Sequence, residues 1–466
     1  MAAGCRTQLT HSRIPKPLYK MGYRNTDKFL LGLLGILLVI PGIFSACSTE
    51  QQIGRIAGKN LLGKEGLLSA HTGICIYDPA QKKYLYQYQA DKYFTPASNT
   101  KILTCYAVMK FLGDSLPGLR VLPGQDRLLI FPTGDPTLLH ADFSTQPVVA
   151  FLAKQVKPVF FIDDVWKENP FGEAWAWDDY PYAYSAERAP LPVYGNVVTI
   201  TGSFRSPVIV PEYFRKDLVF QAASDPSGTF PPIVRSRCSN QFVWDTLLAP
   251  WAKTSIPFIT SDSLAIRLLS EASGQPIGQL PAGTVPQPEG SGFLVYSQPT
   301  DSLLKIMMHR SDNFYAEQSL LMLSNQLLGV MSDAKIIDTL LKTVYARLPQ
   351  APQWVDGSGL SRHNLISPRD FVYVLANMQE TSDWNRITTI FASAGNGTLG
   401  ELYRSIPGKI YAKTGSMNGV VTLSGFLVTR KGRRLVFSVL VNNQRNPASQ
   451  VRSQVRDFLG RINERF

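Results

Sequence analysis

The chain has 466 residues, of which 44% are hydrophobic and 18% charged, with a formal net charge of +12. A chain of this length exceeds the roughly 250–300 residues at which a single core stops growing, so we expect at least two domains and exclude a disordered protein. The first 46 residues hold six Lys or Arg and one acidic residue, so residues 47–466 carry only about +7, without dense basic runs. This charge suits an anionic envelope polymer and argues only weakly for nucleic acid, so we expect no nucleic-acid partner.

Residues 1–46 are predicted to be an export leader. Arg24 and Lys28 precede an apolar run, Phe29 to Ile43, that ends in small residues before Cys47, which is the layout of a secretory signal. The stretch "FSAC" also resembles a bacterial lipobox, in which Cys47 is lipidated and becomes the first mature residue. Plain cleavage and an uncleaved anchor are the alternatives. We therefore expect an exported protein of the periplasm or cell envelope, with lipidation of Cys47 as the favoured form.

The next segment predicts a β-hairpin that leads into a helix. Residues 72–98 alternate apolar and polar side chains around a turn at Asp78-Pro79, and helical spacing then continues until "GDSLPG". At the start of this helix "TPASNTKILT" places Ser98 three residues before Lys101. Positions i and i+3 share a helix face, so the amine can reach the hydroxyl.

Taken alone, this serine-lysine pair is a weak signal. Serine also caps helices and lysine is an ordinary helix former. The same spacing recurs at Ser302/Lys305 and Ser332/Lys335. Other stretches have to decide which pair, if any, is catalytic.

The remaining elements predict an α+β architecture. Residues 115–290 are rich in Pro, Gly and short β-type runs, which indicates a β-rich domain inserted into a domain made of residues 47–114 and 291–466. Helical periodicity returns in "AEQSLLMLSNQLLG" and "DAKIIDTLLKTVYARL". The C-terminal region predicts three antiparallel strands with a turn at "RKGR", then a short helix.

Two downstream motifs favour Ser98 over the other serines. "SDN" (residues 311–313) begins a helical pattern, and "KTG" (residues 413–415) lies in a predicted strand. S-x-x-K, S-x-N and K-T-G in this order are the signature of penicillin-binding proteins and serine β-lactamases. Ser302 lies too close to Ser311, and Ser332 follows it, so only Ser98/Lys101 fits the order.

Further motifs narrow the resemblance to one family. "GDPTL", "WAWDDY", "YGN", "DGSGLSRHNLISP" and "GTLG" make residues 65–466 similar to the D-alanyl-D-alanine carboxypeptidase/endopeptidases of peptidase family S13, the type-4 or class C low-molecular-mass penicillin-binding proteins. The resemblance implies the serine β-lactamase/DD-peptidase fold with a β-rich insertion between the first and second motifs. We interpret "DGSGLS" as a structural loop beside the cleft.

The resemblance also implies roles for individual residues. Ser98 would be the nucleophile and Lys101 its base, provided that burial and nearby Lys413 keep its amine neutral. Ser311 would pass a proton to the leaving amine and Asn313 would hold the substrate amide. Lys413 and Thr414 would bind the terminal carboxylate. Gly415 would let the strand approach the substrate, and the N–H groups of Ser98 and Ser416 would form the oxyanion hole.

Three functions follow from this pattern. The first is a serine DD-peptidase that cleaves D-Ala-D-Ala ends and cross-links of peptidoglycan through an acyl-enzyme and is inhibited by β-lactams. The second is a β-lactamase, although "YARLPQAPQ" lacks the glutamate that class A enzymes place about 35 residues after S-x-N. The third is a non-catalytic wall-binding or sensor protein, which the presence of both Ser98 and Lys101 disfavours.

Cysteine and histidine usage predicts neither a cofactor nor a metal. Besides Cys5 and Cys47 only Cys75, Cys105 and Cys238 are present, an odd and widely spaced set that defines no disulfide framework. None of the five histidines is paired at ligand spacing, which disfavours a zinc enzyme.

Overall fold

The structure is a computed structural model that describes residues 40–222, 231–249, 251–284, 292–406 and 409–466, with only the backbone described for residues 40–48. The apolar run predicted to direct export therefore lies largely outside the described residues, and so does the side chain of Cys47.

The α-helices of these ranges are α1 (Ile40–Ala57), α2 (Lys101–Phe111), α3 (Pro147–Leu152), α4 (Asp262–Ser273), α5 (Thr300–Arg310), α6 (Asn313–Leu328), α7 (Asp333–Lys342), α8 (Pro368–Thr381), α9 (Trp384–Ile390) and α10 (Ala448–Arg465). The strands are β1 (His71–Asp78), β2 (Lys83–Tyr88), β3 (Ser115–Pro123), β4 (Leu128–Pro132), β5 (Val159–Phe161), β6 (Val197–Ser203), β7 (Ser206–Val210), β8 (Leu218–Gln221), β9 (Ile233–Arg235), β10 (Phe242–Asp245), β11 (Trp251–Pro257), β12 (Ile277–Gln279), β13 (Phe293–Pro299), β14 (Ala392–Ser393), β15 (Lys409–Met417), β16 (Val420–Val428) and β17 (Arg434–Asn442). None of the helices in the described ranges is both long and apolar enough to cross a membrane.

The central element is a six-stranded antiparallel sheet with the order β14-β15-β16-β17-β1-β2. The third motif lies on its strand β15, and the first motif lies at the start of helix α2. The predicted hairpin is β1–β2, and the three predicted C-terminal strands are β15, β16 and β17, so these predictions are confirmed. The position of strand β17 in the sheet explains why its sequence is apolar almost throughout. Leu435, Phe437 and Val439 pack on one face of the sheet, while Val436 and Leu440 pack on the other. A sheet covered on both faces needs apolar residues at successive positions.

Helices cover both faces of this sheet. Helices α2 and α5–α9 pack on one face, and α10 with the end of α1 from Ile53 packs on the other. Helix α10 has 18 residues and is longer than the short helix that the sequence predicts. Helix α7 ends at Lys342, earlier than the pattern to Leu348 suggests, because the chain turns inward and buries Tyr345, whose hydroxyl donates to the Leu103 carbonyl at 2.6 Å.

The middle section is rich in strands, as its composition predicts. It contains two three-stranded sheets, β11-β6-β7 and β8-β10-β9, and four strands of a five-stranded sheet of order β12-β5-β4-β3-β13. The fifth strand, β13, lies beyond residue 290 and pairs with β3. Its buried side chains form a separate hydrophobic cluster between Leu119 and Leu269, with Val295 packed against it. The assignment of residues 115–290 as an inserted domain stays a prediction.

Candidate active site

Ser98 lies in a tight turn at the entrance of α2. Residues Ala97–Thr100 form one 3-10 turn that continues directly into the helix, and Ala97 has a φ of +46°. A residue with a Cβ adopts this region at a cost of about 1–3 kcal/mol and keeps it only where its surroundings hold it. The backbone of Gly359 provides that support, because a Cβ built there would lie 1.9 Å from the Ala97 carbonyl oxygen. A distant loop thus braces the turn that presents Ser98.

The amine of Lys101 is fully buried and meets three oxygen atoms. It lies 3.0 Å from Ser98 Oγ, 2.7 Å from Asn313 Oδ1 and 2.7 Å from the Ser358 carbonyl oxygen. The last two are obligate acceptors, whereas a serine hydroxyl can also donate. A neutral amine with two N–H groups satisfies both carbonyl oxygens and has its lone pair left for the hydroxyl of Ser98.

The surroundings of Lys101 favour this neutral form. Burial lowers the pKa of Lys101 to about 8, although the carboxylates of Asp356, Glu317 and Asp312 act in the opposite direction. An amine with such a pKa can accept a proton near neutral pH, which an ordinary surface lysine cannot do. Ser98 and Lys101 together therefore have the geometry of a nucleophile with its own base.

The second motif lies at the junction of α5 and α6. Ser311 ends α5 with a φ of +64°, and Asp312 caps α6 by accepting a hydrogen bond from the Tyr315 N–H at 2.9 Å. Asn313 is the first residue of α6, which confirms that a helix begins at this motif. Its side chain bridges two parts of the site, because Oδ1 accepts from Lys101 and Nδ2 donates to the Tyr184 carbonyl at 2.9 Å.

The third motif lies on β15, beside Ser98. The Lys413 amine is fully buried and donates to Ser311 Oγ at 2.7 Å and to the Thr414 carbonyl at 2.7 Å. Burial, with the charge of Lys101 as the second cause, holds the pKa of Lys413 well below its usual value. Thr414 donates to Thr398 Oγ1 at 2.7 Å, and Ser416 accepts from the guanidinium of Arg452 at 2.6 Å. The hydroxyls of Thr414 and Ser416 are accessible, while the lysine lies beneath them.

Gly415 is required by packing against the Ser98 turn. A Cβ at this position would lie 2.2 Å from Thr422 Oγ1, 2.8 Å from the Pro96 carbonyl oxygen and 3.1 Å from the Ser98 nitrogen. From the sequence we expected this glycine to let the strand approach the substrate. The structure gives a more direct reason, which is that β15 touches the turn that carries Ser98. The same contact brings the backbone of β15 next to the Ser98 N–H.

The buried side chain of Asn99 connects the first motif to the third by a hydrogen bond. In the orientation that satisfies both ends of its buried amide, Nδ2 donates to the Lys413 carbonyl at 2.7 Å and Oδ1 accepts from Ser424 Oγ at 2.7 Å. Sequence reasoning did not single out Asn99. Its place inside the S-x-x-K motif was the one signal available.

A cleft of about 470 Å³ opens above these residues. Four of the predicted site residues line it, namely Ser98, Ser311, Asn313 and Ser416. The cleft is completed by side chains that the sequence analysis did not assign, namely Asp179, Tyr184, Leu360, Arg362, Met417 and Asn418. They lie near the quoted motifs "WAWDDY", "DGSGLSRHNLISP" and "KTG", but no local pattern says that these segments converge.

The "DGSGLS" loop is built around a buried aspartate. Asp356 accepts hydrogen bonds from the N–H groups of Gly359 at 2.8 Å and Ser361 at 2.6 Å and from the Trp175 indole at 3.0 Å. The loop supports the site, as predicted, and in addition supplies the Ser358 carbonyl that contacts Lys101.

The predicted site residues of the three motifs thus lie around one cleft, where hydrogen bonds join Lys101 to Ser98 and Asn313 and join Lys413 to Ser311. The amines of the two competing pairs differ, because Lys305 and Lys335 are both exposed on the surfaces of their helices.

Comparison with known proteins agrees with this geometry. The sequence profile of the "D-Ala-D-Ala carboxypeptidase 3 (S13) family" matches residues 58–462. The chain is 24% identical over 408 residues to the D-alanyl-D-alanine carboxypeptidase DacB of Haemophilus influenzae, covering 78% of this chain and 83% of the relative. It is 27% identical over 437 residues to the D-alanyl-D-alanine carboxypeptidase of Actinomadura sp. strain R39, covering 83% and 80%.

A solved structure supports the fold. The crystal structure of penicillin binding protein 4 (dacB) from Haemophilus influenzae superposes with a TM-score of 0.66 at 21% identity, covering 88% of this chain and 98% of that one. The predicted fold, an α+β DD-peptidase fold, is confirmed.

Proposed function

The chain belongs to the D-Ala-D-Ala carboxypeptidase 3 (S13) family, and on this basis we propose that its acyl-enzyme forms on Ser98 with Lys101 as the base. The enzyme is a serine-type D-Ala-D-Ala carboxypeptidase and a penicillin-binding protein. Its reaction is the cleavage of peptidoglycan stem peptides, and of D-Ala cross-links, at the carbonyl of a D-alanine. The observation that carries the assignment is the buried Lys101 amine between two carbonyl acceptors and the Ser98 hydroxyl.

Acylation begins with proton transfer from Ser98 to Lys101. As Oγ attacks the carbonyl carbon of the penultimate D-alanine, its proton moves to the lone pair of Nζ, and the carbonyl oxygen becomes an oxyanion. The N–H groups of Ser98 and Ser416 would stabilise this charge, and such donors typically contribute about 10²–10³ in rate each. Gly415 supports the proposal that these two N–H groups act together, because only a residue without a side chain allows β15 to lie against the Ser98 turn.

Collapse of the intermediate breaks the C–N bond and requires a proton on the leaving amine. Ser311 is suited to pass on the proton that Lys101 took from Ser98, because its hydroxyl accepts from the Lys413 amine and faces the cleft. This transfer returns Lys101 to its neutral form. Asn313, held by Lys101 and by the Tyr184 carbonyl, is suited to bind the substrate amide. Water then hydrolyses the acyl-enzyme and regenerates Ser98.

The C-terminal carboxylate of the substrate would bind at β15. Thr414 and Ser416 offer accessible hydroxyls, and the buried Lys413 amine lies against the Thr414 carbonyl. A bound carboxylate would raise the pKa of Lys413 again, because an opposite charge favours the ammonium form. This arrangement requires a free carboxylate at the end of the peptide, which is the mark of a carboxypeptidase substrate.

We also propose that the protein acts in the cell envelope, with Cys47 as a lipid attachment site. The leader pattern before Cys47 supports export, and the family's peptidoglycan substrate lies outside the cytoplasm. Periplasmic location and lipidation both rest on the sequence of the leader.

Mass spectrometry of the intact protein after incubation with benzylpenicillin tests the assignment of Ser98. We expect an increase by the mass of one penicillin, absent from Ser98→Ala and retained in Ser302→Ala, which changes the serine of a competing pair. An adduct that persists in Ser98→Ala would refute the assignment.

A further inference from the structure

Glu317 is a buried carboxylate directly behind the proposed base. It follows Asn313 by one helical turn on α6, so the two side chains lie on the same face of that helix. Asn313 reaches the Lys101 amine, and Glu317 points one turn deeper, where Oε1 accepts a hydrogen bond from the Ser358 N–H at 2.7 Å. Ser358 in turn accepts from Lys101 through its carbonyl at 2.7 Å. A single residue therefore links the glutamate to the lysine.

The loop at this point has no space to move. A Cβ on Gly357 would lie 2.7 Å from the Ala316 carbonyl oxygen and 3.4 Å from Glu317 Cα, so the loop backbone is packed directly on α6. Thr104 of α2 donates to the Gly357 carbonyl at 2.7 Å and holds the loop from the opposite side. Both Glu317 and Ser358 are at most 1% exposed.

Arg188 holds Glu317 electrostatically but leaves one oxygen without a hydrogen bond. The guanidinium Nη1 lies 3.6 Å from Glu317 Oε2, which is too long for a hydrogen bond, and 2.5 Å from Asp333. Among the described residues, Glu317 Oε2 is a buried oxygen without a hydrogen-bond donor. Burial, with the charge of Asp356 as the next cause, raises the pKa of Glu317 to about 7. A buried carboxylate oxygen without a hydrogen-bond donor is uncommon in folded proteins and needs an explanation.

We propose that Glu317 is a positioning residue for acylation: it holds the Ser358 peptide so that the Ser358 carbonyl orients the Lys101 amine toward Ser98. This inference rests on the proposed function of Ser98 and Lys101 and deepens it. Without the Ser358 carbonyl as an acceptor, the amine can rotate and turn an N–H, rather than its lone pair, toward the nucleophile. Misplacement of a reacting group by about 1 Å is enough to reduce a rate on the order of 100-fold.

Two substitutions separate the hydrogen bond from the charge. Glu317→Gln keeps an oxygen that can accept from the Ser358 N–H, whereas Glu317→Ala removes it. The carboxylate also raises the pKa of Lys101 together with Asp356 and Asp312, and the buried amine of Lys413 is the other titratable group beside Lys101. Arg188, Asp333 and Asp356 are the charged groups that face Glu317 itself. Removing one anion while keeping the hydrogen bond should therefore shift the acid limb of the rate to lower pH.

The experiment measures the acylation rate per active site, from pH 6 to 10, with a fluorescent penicillin. Active sites are counted by the amount of label bound at completion, and adduct mapping confirms Ser98 as the labelled residue. We expect Glu317→Ala to be slower on the order of 100-fold at its optimum, and Glu317→Gln to stay within about threefold with its acid limb shifted to lower pH. Asp370→Asn, which neutralises a buried carboxylate bound to Ser367 and Gln350, should leave the rate and the profile unchanged.

Wild-type rates per active site in Glu317→Ala would overturn the inference, as would equal losses in the Ala and Gln variants. If the Ala variant does not fold by circular dichroism, the Gln variant decides, and an unshifted profile overturns the proposal. Labelling at a residue other than Ser98 would instead refute the proposed function, so the two failures are distinguishable.

Discussion

The pH dependence of penicillin acylation tests the role of Lys101 most directly. Only a neutral amine can accept the Ser98 proton, and burial lowers the pKa of Lys101 to about 8 against an ordinary value of 10.5. With that pKa about 9% of the amine is neutral at pH 7, half at pH 8 and about 91% at pH 9. The second-order acylation rate constant should therefore rise about tenfold from pH 7 to pH 9 and then level off.

Stopped-flow fluorescence with a penicillin that does not titrate between pH 6 and 10 measures this profile. Lys101→Ala should acylate more slowly by about 10²–10⁴-fold, which is the usual contribution of a positioned base. Lys335→Ala is the matched control, because it removes an exposed lysine at the same spacing from a serine and should leave both the rate and the profile unchanged.

Two results would refute this reasoning. A rate that is constant from pH 7 to pH 9 in a protein that circular dichroism shows to be folded would mean that Lys101 is not the titrating base. Wild-type acylation by Lys101→Ala would mean that another group removes the proton.

Three other changes have defined outcomes. Lys413→Ala should lose on the order of 10–100-fold in kcat/KM for a D-Ala-D-Ala peptide and less for the same peptide with an amidated end; equal losses measured by mass spectrometry would exclude carboxylate recognition. Gly415→Ala should reduce the acylation rate at least tenfold and lower the free energy of unfolding by about 1–3 kcal/mol, because its Cβ would overlap Thr422 Oγ1 and the Pro96 carbonyl. An unchanged thermal unfolding temperature would contradict that packing. Cys47→Ser should block lipid attachment, and labelling with a radioactive fatty acid that persists in this variant would show that Cys47 is not the site.

Local sequence patterns predicted much of the fold. The alternation in residues 72–98 identified β1 and β2, and "SDN" marked the start of α6, because strand pairing and helix capping depend on residues close together in the chain. Local patterns failed where a tertiary contact intervened. Helix α7 ends at Lys342 because burying Tyr345 against Leu103 turns the chain inward, and no helical periodicity encodes that competition.

Residue types and their spacing were enough to identify the three motifs, their order and hence Ser98 as the proposed nucleophile. What surrounds these motifs depends on tertiary packing. The Lys101 amine meets Ser358, Glu317 lies behind that serine, and the Lys413 amine is buried beneath Ser311. These contacts join residues from distant parts of the chain, and they exist because helices packed on the sheet bring those parts together. The depressed pKa of Lys101 follows from that burial and cannot be obtained from its neighbours in sequence.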